Sequence, residues 1–285
     1  MTAIRAEGLR KRYPGFELKD VSLEVPKGSI VGFIGENGAG KTTTIKAIIG
    51  AIHADGGKVE IFGRDFARHG KALKQDMAVV TEDSFFHADL TAEDVSRIMR
   101  RMYARWDDAR FREYLNRFKL PADKRIKELS RGMRMKLAIA AALSHHPKLL
   151  ILDEPTSGLD PVVRSEMLDV FLDFIQDEEH AILFSTHITT DLEKIADYIV
   201  FIHDGRIIFS RSKDELLEQY GIMKCGQDEF RDVDPADFVG VRRYDYGCEM
   251  LVRDRQAMRR KYPHLTIDPA GIEDIMLYHV RGEKP

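Results

Sequence analysis

The sequence predicts an α/β protein: a largely parallel sheet with a helical insertion, followed by a small α+β appendage. Three observations carry this. The run GENGAGKTT, residues 35 to 43, joins an apolar strand-like stretch (Ser29 to Ile34) to a helix-like one (Thr42 to Ile49). From Leu149 onward short apolar runs alternate with helical stretches, the pattern of parallel strands covered by helices. Between them, Leu90 to Leu143 reads as helix throughout.

Taken in order, strand-like runs cover Ala3 to Leu9, Glu17 to Val25, Val31 to Ile34 and Lys58 to Ile61. The helical insertion opens on Thr91 and Asp94, a variant of the capping box, with apolar residues at Val95, Ile98, Met99 and Met102. A second helix gathers around Phe111, Tyr114, Leu115 and Phe118. Then come the buried strand LLILD, a helix from Pro161 to Gln176, the strand AILFST, a short helix around Asp191 to Ile195, and the hairpin YIVFIHDGRIIFS. Asp204-Gly205 between two apolar runs signals a tight turn. Gly221 is expected to close the last helix of a first domain, residues 1 to 221, whose helical subdomain spans about 83 to 145. Residues 222 to 285 form the accessory domain, with runs at Val239 to Tyr244 and Glu249 to Val252 and helices at Arg255 to Tyr262 and Ile272 to Val280.

Composition narrows the function. With 285 residues, 32% of them charged, and a formal net charge of -3, the chain has no strongly basic field to argue for direct nucleic-acid binding. No apolar stretch approaches the roughly 18 residues of a membrane span. The best one, Leu137 to Leu152, is broken by Ser144, His145, His146, Pro147 and Lys148. The N-terminus lacks a secretory apolar region, so a cytoplasmic location is expected. Cys225 and Cys248 are too few for a zinc cluster and read as ordinary small residues.

Gly35, Gly40, Lys41 and Thr42 satisfy G-x-x-x-x-G-K-[ST] between strand and helix. Glycines let successive backbone N–H groups face a phosphate, and the helix N-terminus adds positive partial charge. Lys41 reaches the β and γ phosphates, and the Thr42 hydroxyl is placed to ligate Mg²⁺. Asp153 ends the apolar strand LLILD, where a carboxylate holds Mg²⁺ through water, and Glu154 beside it is the candidate general base. Ser130 and Gly132 stand at the start of a helix, a second anion-binding end in the same chain.

With these motifs in this order, residues 1 to about 220 resemble the nucleotide-binding subunit of an ABC transporter. The resemblance implies a P-loop NTPase, ABC-type ATPase core binding ATP and Mg²⁺. It also implies a head-to-tail dimer with a second copy or a homologous ATPase subunit, a separate transmembrane permease driven for export, and a peripheral place at the inner face of the membrane. Residue by residue, Tyr13 matches the adenine-stacking aromatic, and Gly35, Glu36, Asn37, Gly38, Ala39, Gly40, Lys41, Thr42 and Thr43 match the phosphate loop. Glu82 stands where the family usually has a glutamine that senses Mg²⁺. Ser130 and Gly132 match the signature, Asp160 closes the SGLD D-loop, and His187 matches the switch histidine.

Arg131 replaces the usual signature glycine and Met133 the usual glutamine. These departures, with Glu82 and the segments FFHADLTAEDV, YARWDDARF and LSRGMRMKLAIA, resemble the ABC-2-type, YtrB-like bacterial branch. Arg97, Arg100, Arg101 and Arg105, with Phe85 and Phe86, are expected either at the permease-facing surface or on a solvated helix face and subdomain boundary. Two rivals are an ABC ATPase acting on ribosomes or DNA, and an ATP-binding switch without turnover.

Overall fold

The computed structural model describes residues 1–81 and 86–283, which form two compact units, Met1–Phe209 and Ser210–Pro285. The division lies ahead of the expected one after Gly221.

The first unit runs β1 (Thr2–Tyr13), β2 (Phe16–Pro26), β3 (Ser29–Ile34), α1 (Lys41–Ile48), β4 (Gly56–Ile61), β5 (Arg64–Asp65), α2 (Phe66–Leu73) and β6 (Met77–Thr81). It continues through α3 (Ala92–Met102), α4 (Asp108–Arg117), α5 (Arg131–Leu143), β7 (Leu149–Asp153), α6 (Pro161–Phe174), β8 (Ala181–Thr186), α7 (Thr189–Ile195), β9 (Tyr198–His203) and the start of β10 (Arg206–Ser212), the strand in which the division at Phe209 falls. One antiparallel sheet has the order β2-β1-β4-β5; the other has the order β10-β9-β3-β8-β7-β6.

Every residue of β3, β7 and β8 is buried, as central parallel strands require when both faces are covered. Leu9, Leu18 and Val25 of the antiparallel sheet, Ile45 and Ile48 of α1, and Val31, Ile151 and Leu183 of the parallel sheet share one core. The register brings Ile34 opposite Thr186, Asp153 opposite Ser185, and Thr81 opposite Asp153. The segments leaving β3, β7 and β8 therefore emerge side by side at one carboxyl edge, where open α/β sheets place their ligands.

The Asp204-Gly205 turn forms as read, with both residues left-handed (φ 44° and 71°). Gly205 N–H donates to Ala39 O at 3.0 Å, and Gly205 O accepts from Lys19 N–H at 2.8 Å, so the turn braces the phosphate loop against β2. The capping box also forms: Thr91 Oγ1 accepts from Asp94 N–H at 3.3 Å, and Thr91 N–H donates to Asp94 Oδ2 at 2.9 Å.

On α3, Val95 and Met99 are buried whereas Ile98 and Met102 are exposed. Three of the four arginines singled out make ion pairs: Arg97 with Asp94, Arg100 with Asp108 and Arg105 with Asp76, at 2.6 to 2.7 Å. Phe86 is half-buried; Phe85 lies outside the described residues.

The second unit contains α8 (Lys213–Gln219), β11 (Gly221–Cys225), β12 (Gly240–Tyr244), β13 (Gly247–Val252), α9 (Arg255–Lys261), β14 (Thr266–Pro269) and α10 (Ile272–Arg281). Its antiparallel sheet has the order β12-β13-β11-β14, and Met223, Met250, Val252 and Ile267 sit in its own core. Gly221 does not cap a helix. Helix α8 ends on the extended Tyr220, and Gly221 opens β11 against Pro269, where a Cβ would stand 2.9 Å from Asp268 O. Cys225 and Cys248 are free thiols facing each other across β11 and β13.

Candidate functional site

The phosphate loop follows β3 and leads into α1. Gly35 is required by contact, since a Cβ there would stand 2.4 Å from Ile202 O. Gly40 is required by conformation: it precedes α1 at φ 114°, beneath Phe16 and Leu18. Lys41 is 6% exposed, and its ammonium donates to Gly35 O at 2.7 Å and to Glu36 O at 3.3 Å. An open cleft of about 470 Å³ is lined by Gly15, Phe16, Glu36, Asn37, Gly38, Gly40, Lys41, Thr42, Thr43 and Glu154. Thr42 is exposed, Thr43 half-buried and Ala39 buried.

At the end of β7, Asp153 is 4% exposed and its Oδ1 has no hydrogen-bond partner among the described residues. Glu154 adopts φ 53°, a left-handed conformation that costs a non-glycine residue roughly 1 to 3 kcal/mol. Its N–H donates to Ser185 O at 2.9 Å, which holds the kink. The carboxylate then lies between two side chains. Oε1 is 3.4 Å from Lys41 Nζ, and Oε2 is 2.8 Å from His187 Nδ1. An ionised carboxylate only accepts, so Nδ1 of His187 carries the proton in this pair.

The donor set fits a magnesium ion. Among the described residues, Asp153 offers a buried, unpaired carboxylate oxygen, the Ser185 hydroxyl across the register is also unpaired, and Thr42 lines the cleft. Mg²⁺ takes one or two carboxylates, keeps water and binds substrate phosphates, so a dense protein cage is not required. Among the described residues no group of three or more His, Cys, Asp or Glu side chains could hold a metal. Glu82, the third expected metal residue, lies outside the described residues.

Ser130 precedes α5 and its Oγ accepts from Met133 N–H at 3.2 Å. Gly132 is half-buried, with room for a Cβ 3.5 Å from Val163 Cγ1. Asp160 caps α6, its Oδ1 accepting from Val162 and Val163 N–H at 3.1 and 3.0 Å, with Pro161 in the first turn. None of Ser130, Gly132 and Asp160 lines the cleft. Tyr13 is exposed beneath the Lys11 ammonium, 5.5 Å from the ring centroid, and is also absent from the lining.

Sequence reasoning overlooked Gly15, Phe16 and Ser185. Phe16 pairs with Tyr13 across the hairpin turn, a proximity that the Pro14-Gly15 turn signal could have disclosed. Ser185 reaches Asp153 only through strand register.

Residues 18–157 match the family model described as "ABC transporter". The chain is 34% identical over 203 residues to the ABC transporter ATP-binding protein YtrB of Bacillus subtilis, covering 71% of this chain and 69% of that protein. It is 35% identical over 221 residues to the bacitracin transport ATP-binding protein BcrA of Bacillus licheniformis, covering 76% and 72%. Among solved structures it is similar to the ATP binding subunit of an ABC transporter, with TM-score 0.67, 29% identity and coverage of 75% of this chain and 91% of that one. It is also similar to cbiO1 from Clostridium perfringens, described as part of the ABC transporter complex cbiONQ, with TM-score 0.63, 26% identity and coverage of 74% and 88%.

Proposed function

Because the chain belongs to the ABC transporter family of ATP-binding subunits, we propose that it works as a head-to-tail dimer that hydrolyses ATP to drive a separate transmembrane permease, for export, from the inner face of the cell membrane. The observation that carries this is the chain of contacts from Lys41 through Glu154 to His187 at one sheet edge.

In this reading the loop N–H groups from Gly35 to Thr43 hold the phosphates, and the Lys41 ammonium exchanges its two loop carbonyls for phosphate oxygens. Tyr13 stacks on the adenine. Thr42 and Asp153 would hold magnesium, which would supply positive charge to offset the charge of the phosphates. Glu154 accepts a proton from the attacking water as its oxygen bonds to the γ-phosphorus. The bond from that phosphorus to the β–γ bridging oxygen breaks, leaving ADP and inorganic phosphate. His187 fixes the carboxylate through Oε2, which leaves Oε1 for the water once Lys41 has turned to phosphate.

Ser130 and Gly132 of one copy cover the γ-phosphate held by the other, with Asp160 shaping the adjoining loop. Closure on ATP moves the permease and hydrolysis reopens the pair. Among the described residues no helix is long and apolar enough to cross a membrane, which supports a separate permease subunit. Relatives named for the transport of bacitracin and of a lantibiotic support moving a compound over acting on ribosomes or DNA.

The test is affinity purification from detergent-solubilised host membranes, with mass spectrometry of what accompanies the chain, alongside phosphate release by the purified chain. A multi-span protein and measurable turnover are expected. Ribosomal or DNA-bound companions would favour the rival machine, and a turnover no greater than that of Glu154→Gln would favour the switch.

A further inference from the structure

The departure at Arg131 has a structural counterpart inside the same chain. Gly158, in the loop between β7 and α6, is left-handed at φ 68°. A Cβ on it would stand 3.2 Å from Arg131 Cζ and 3.3 Å from both Nε and Nη1, so the flat face of the guanidinium lies across the Gly158 α-carbon. Farther along the same pair of helices, Lys136 Nζ meets Glu166 Oε2 at 2.6 Å in a mostly buried ion pair. Gly132 lies beside Val163 and Leu159. Positions 131, 132 and 136 of α5 thus engage 158, 163 and 166 on the other side, and this seam joins the Ser130 turn to the Asp160 cap.

We propose that Arg131 is a positioning residue that clamps the signature turn to the D-loop, so that Ser130 and the loop before Asp160 are offered to a second copy as one rigid block. This rests on the two-copy ATP cycle proposed above. A planar guanidinium suits the task, because it stacks on a bare α-carbon, and the ammonium of lysine has no such face. Arg131 and Gly158 both lie outside the lining of the phosphate-loop cleft, so the clamp acts on turnover and pairing and leaves the first binding of nucleotide alone.

The experiment compares wild type with Arg131→Gly and Arg131→Lys in the full chain. The readouts are TNP-ATP binding, phosphate release against ATP concentration, ATP-dependent dimerisation in the Glu154→Gln background, and amide hydrogen exchange over residues 156 to 160 without nucleotide. Arg131→Gly is expected to lower kcat about tenfold, with TNP-ATP affinity held within about twofold. It should also weaken the ATP-dependent dimer and speed exchange at residues 156 to 160, and Arg131→Lys should behave the same way.

Unchanged exchange and kcat in Arg131→Gly would overturn the clamp. So would full rescue by lysine, because that would assign Arg131 a charge contact with nucleotide. A wild type that neither releases phosphate nor pairs on ATP sinks the ATPase cycle and this inference with it; a competent wild type with an indifferent Arg131→Gly sinks the inference alone.

Discussion

His187 Nδ1 lies 2.8 Å from Glu154 Oε2, and the carboxylate it holds belongs to a residue in the left-handed conformation. Two consecutive features of the backbone make this possible: the β7–β8 register and the Glu154 N–H bond to Ser185 O at 2.9 Å. Glu154→Gln keeps the shape and removes the proton acceptor. Steady-state phosphate release should fall about 10²- to 10⁴-fold while nucleotide binding persists. His187→Ala should lose less, and the double variant should be no slower than Glu154→Gln, since both act through one carboxylate. Additive losses would separate the two residues.

Ser130 and Asp160 each fill two roles that substitution can divide. Both cap helices, so Ser130→Ala should cost about 1 kcal/mol in urea unfolding and Asp160→Asn only a few tenths, because asparagine caps as well as aspartate. Ser130→Ala should reduce turnover far beyond that stability loss if the hydroxyl also reaches a phosphate on a second copy. Turnover that tracks stability alone would leave Ser130 as a cap and nothing more.

Much of this site was legible because its parts are contiguous in the chain. The glycines, Lys41 and Thr42 declare themselves within nine residues, and Asp153-Glu154 follows an unbroken apolar strand. What the sequence concealed depends on register or on distant partners. Nothing near Glu154 announces Ser185, and Arg131 is visible as a departure although its partner Gly158 stands in another segment. Helix α2 was unread because Gly70 interrupts it, yet the Asp65 cap, accepting from Arg68 N–H at 3.0 Å, starts it. The strands β11 and β14 were missed because each is short and is completed by partners distant in the chain.

Gly205 is the tightest of the turn glycines. A Cβ there would lie 1.9 Å from Glu17 O, and its own φ is 71°. Gly205→Ala should therefore destabilise the first unit by on the order of 3 kcal/mol, through overpacking against backbone that cannot yield. Nucleotide binding should weaken with it, because the bond from Gly205 N–H to Ala39 O steadies the phosphate loop. Asp204→Asn, which tolerates the left-handed turn, is the control and should unfold within about 0.5 kcal/mol of wild type. Equal melting of Gly205→Ala and wild type would refute the packing argument.

His145 links the helical segment to the parallel sheet, and it does so as a neutral ring. It is 1% exposed, Nε2 donates to Met77 O at 3.0 Å, and the ring stacks on Tyr103 with centroids 3.8 Å apart. Burial pushes the imidazole down to about 4, against an ordinary value near 6.5. Above pH 6.5 neither the folded nor the unfolded ring holds the extra proton, and stability is fully present. As pH falls below 6.5 the unfolded chain takes up the proton first, so stability declines until the folded ring also protonates near pH 4. Between pH 7.5 and pH 5 this one residue should remove on the order of 2 kcal/mol. His145→Phe keeps an aromatic ring for the Tyr103 stack and has no proton to gain, so its urea midpoint should fall less steeply over the same interval. Parallel pH slopes for the two proteins would show that His145 does not govern this loss.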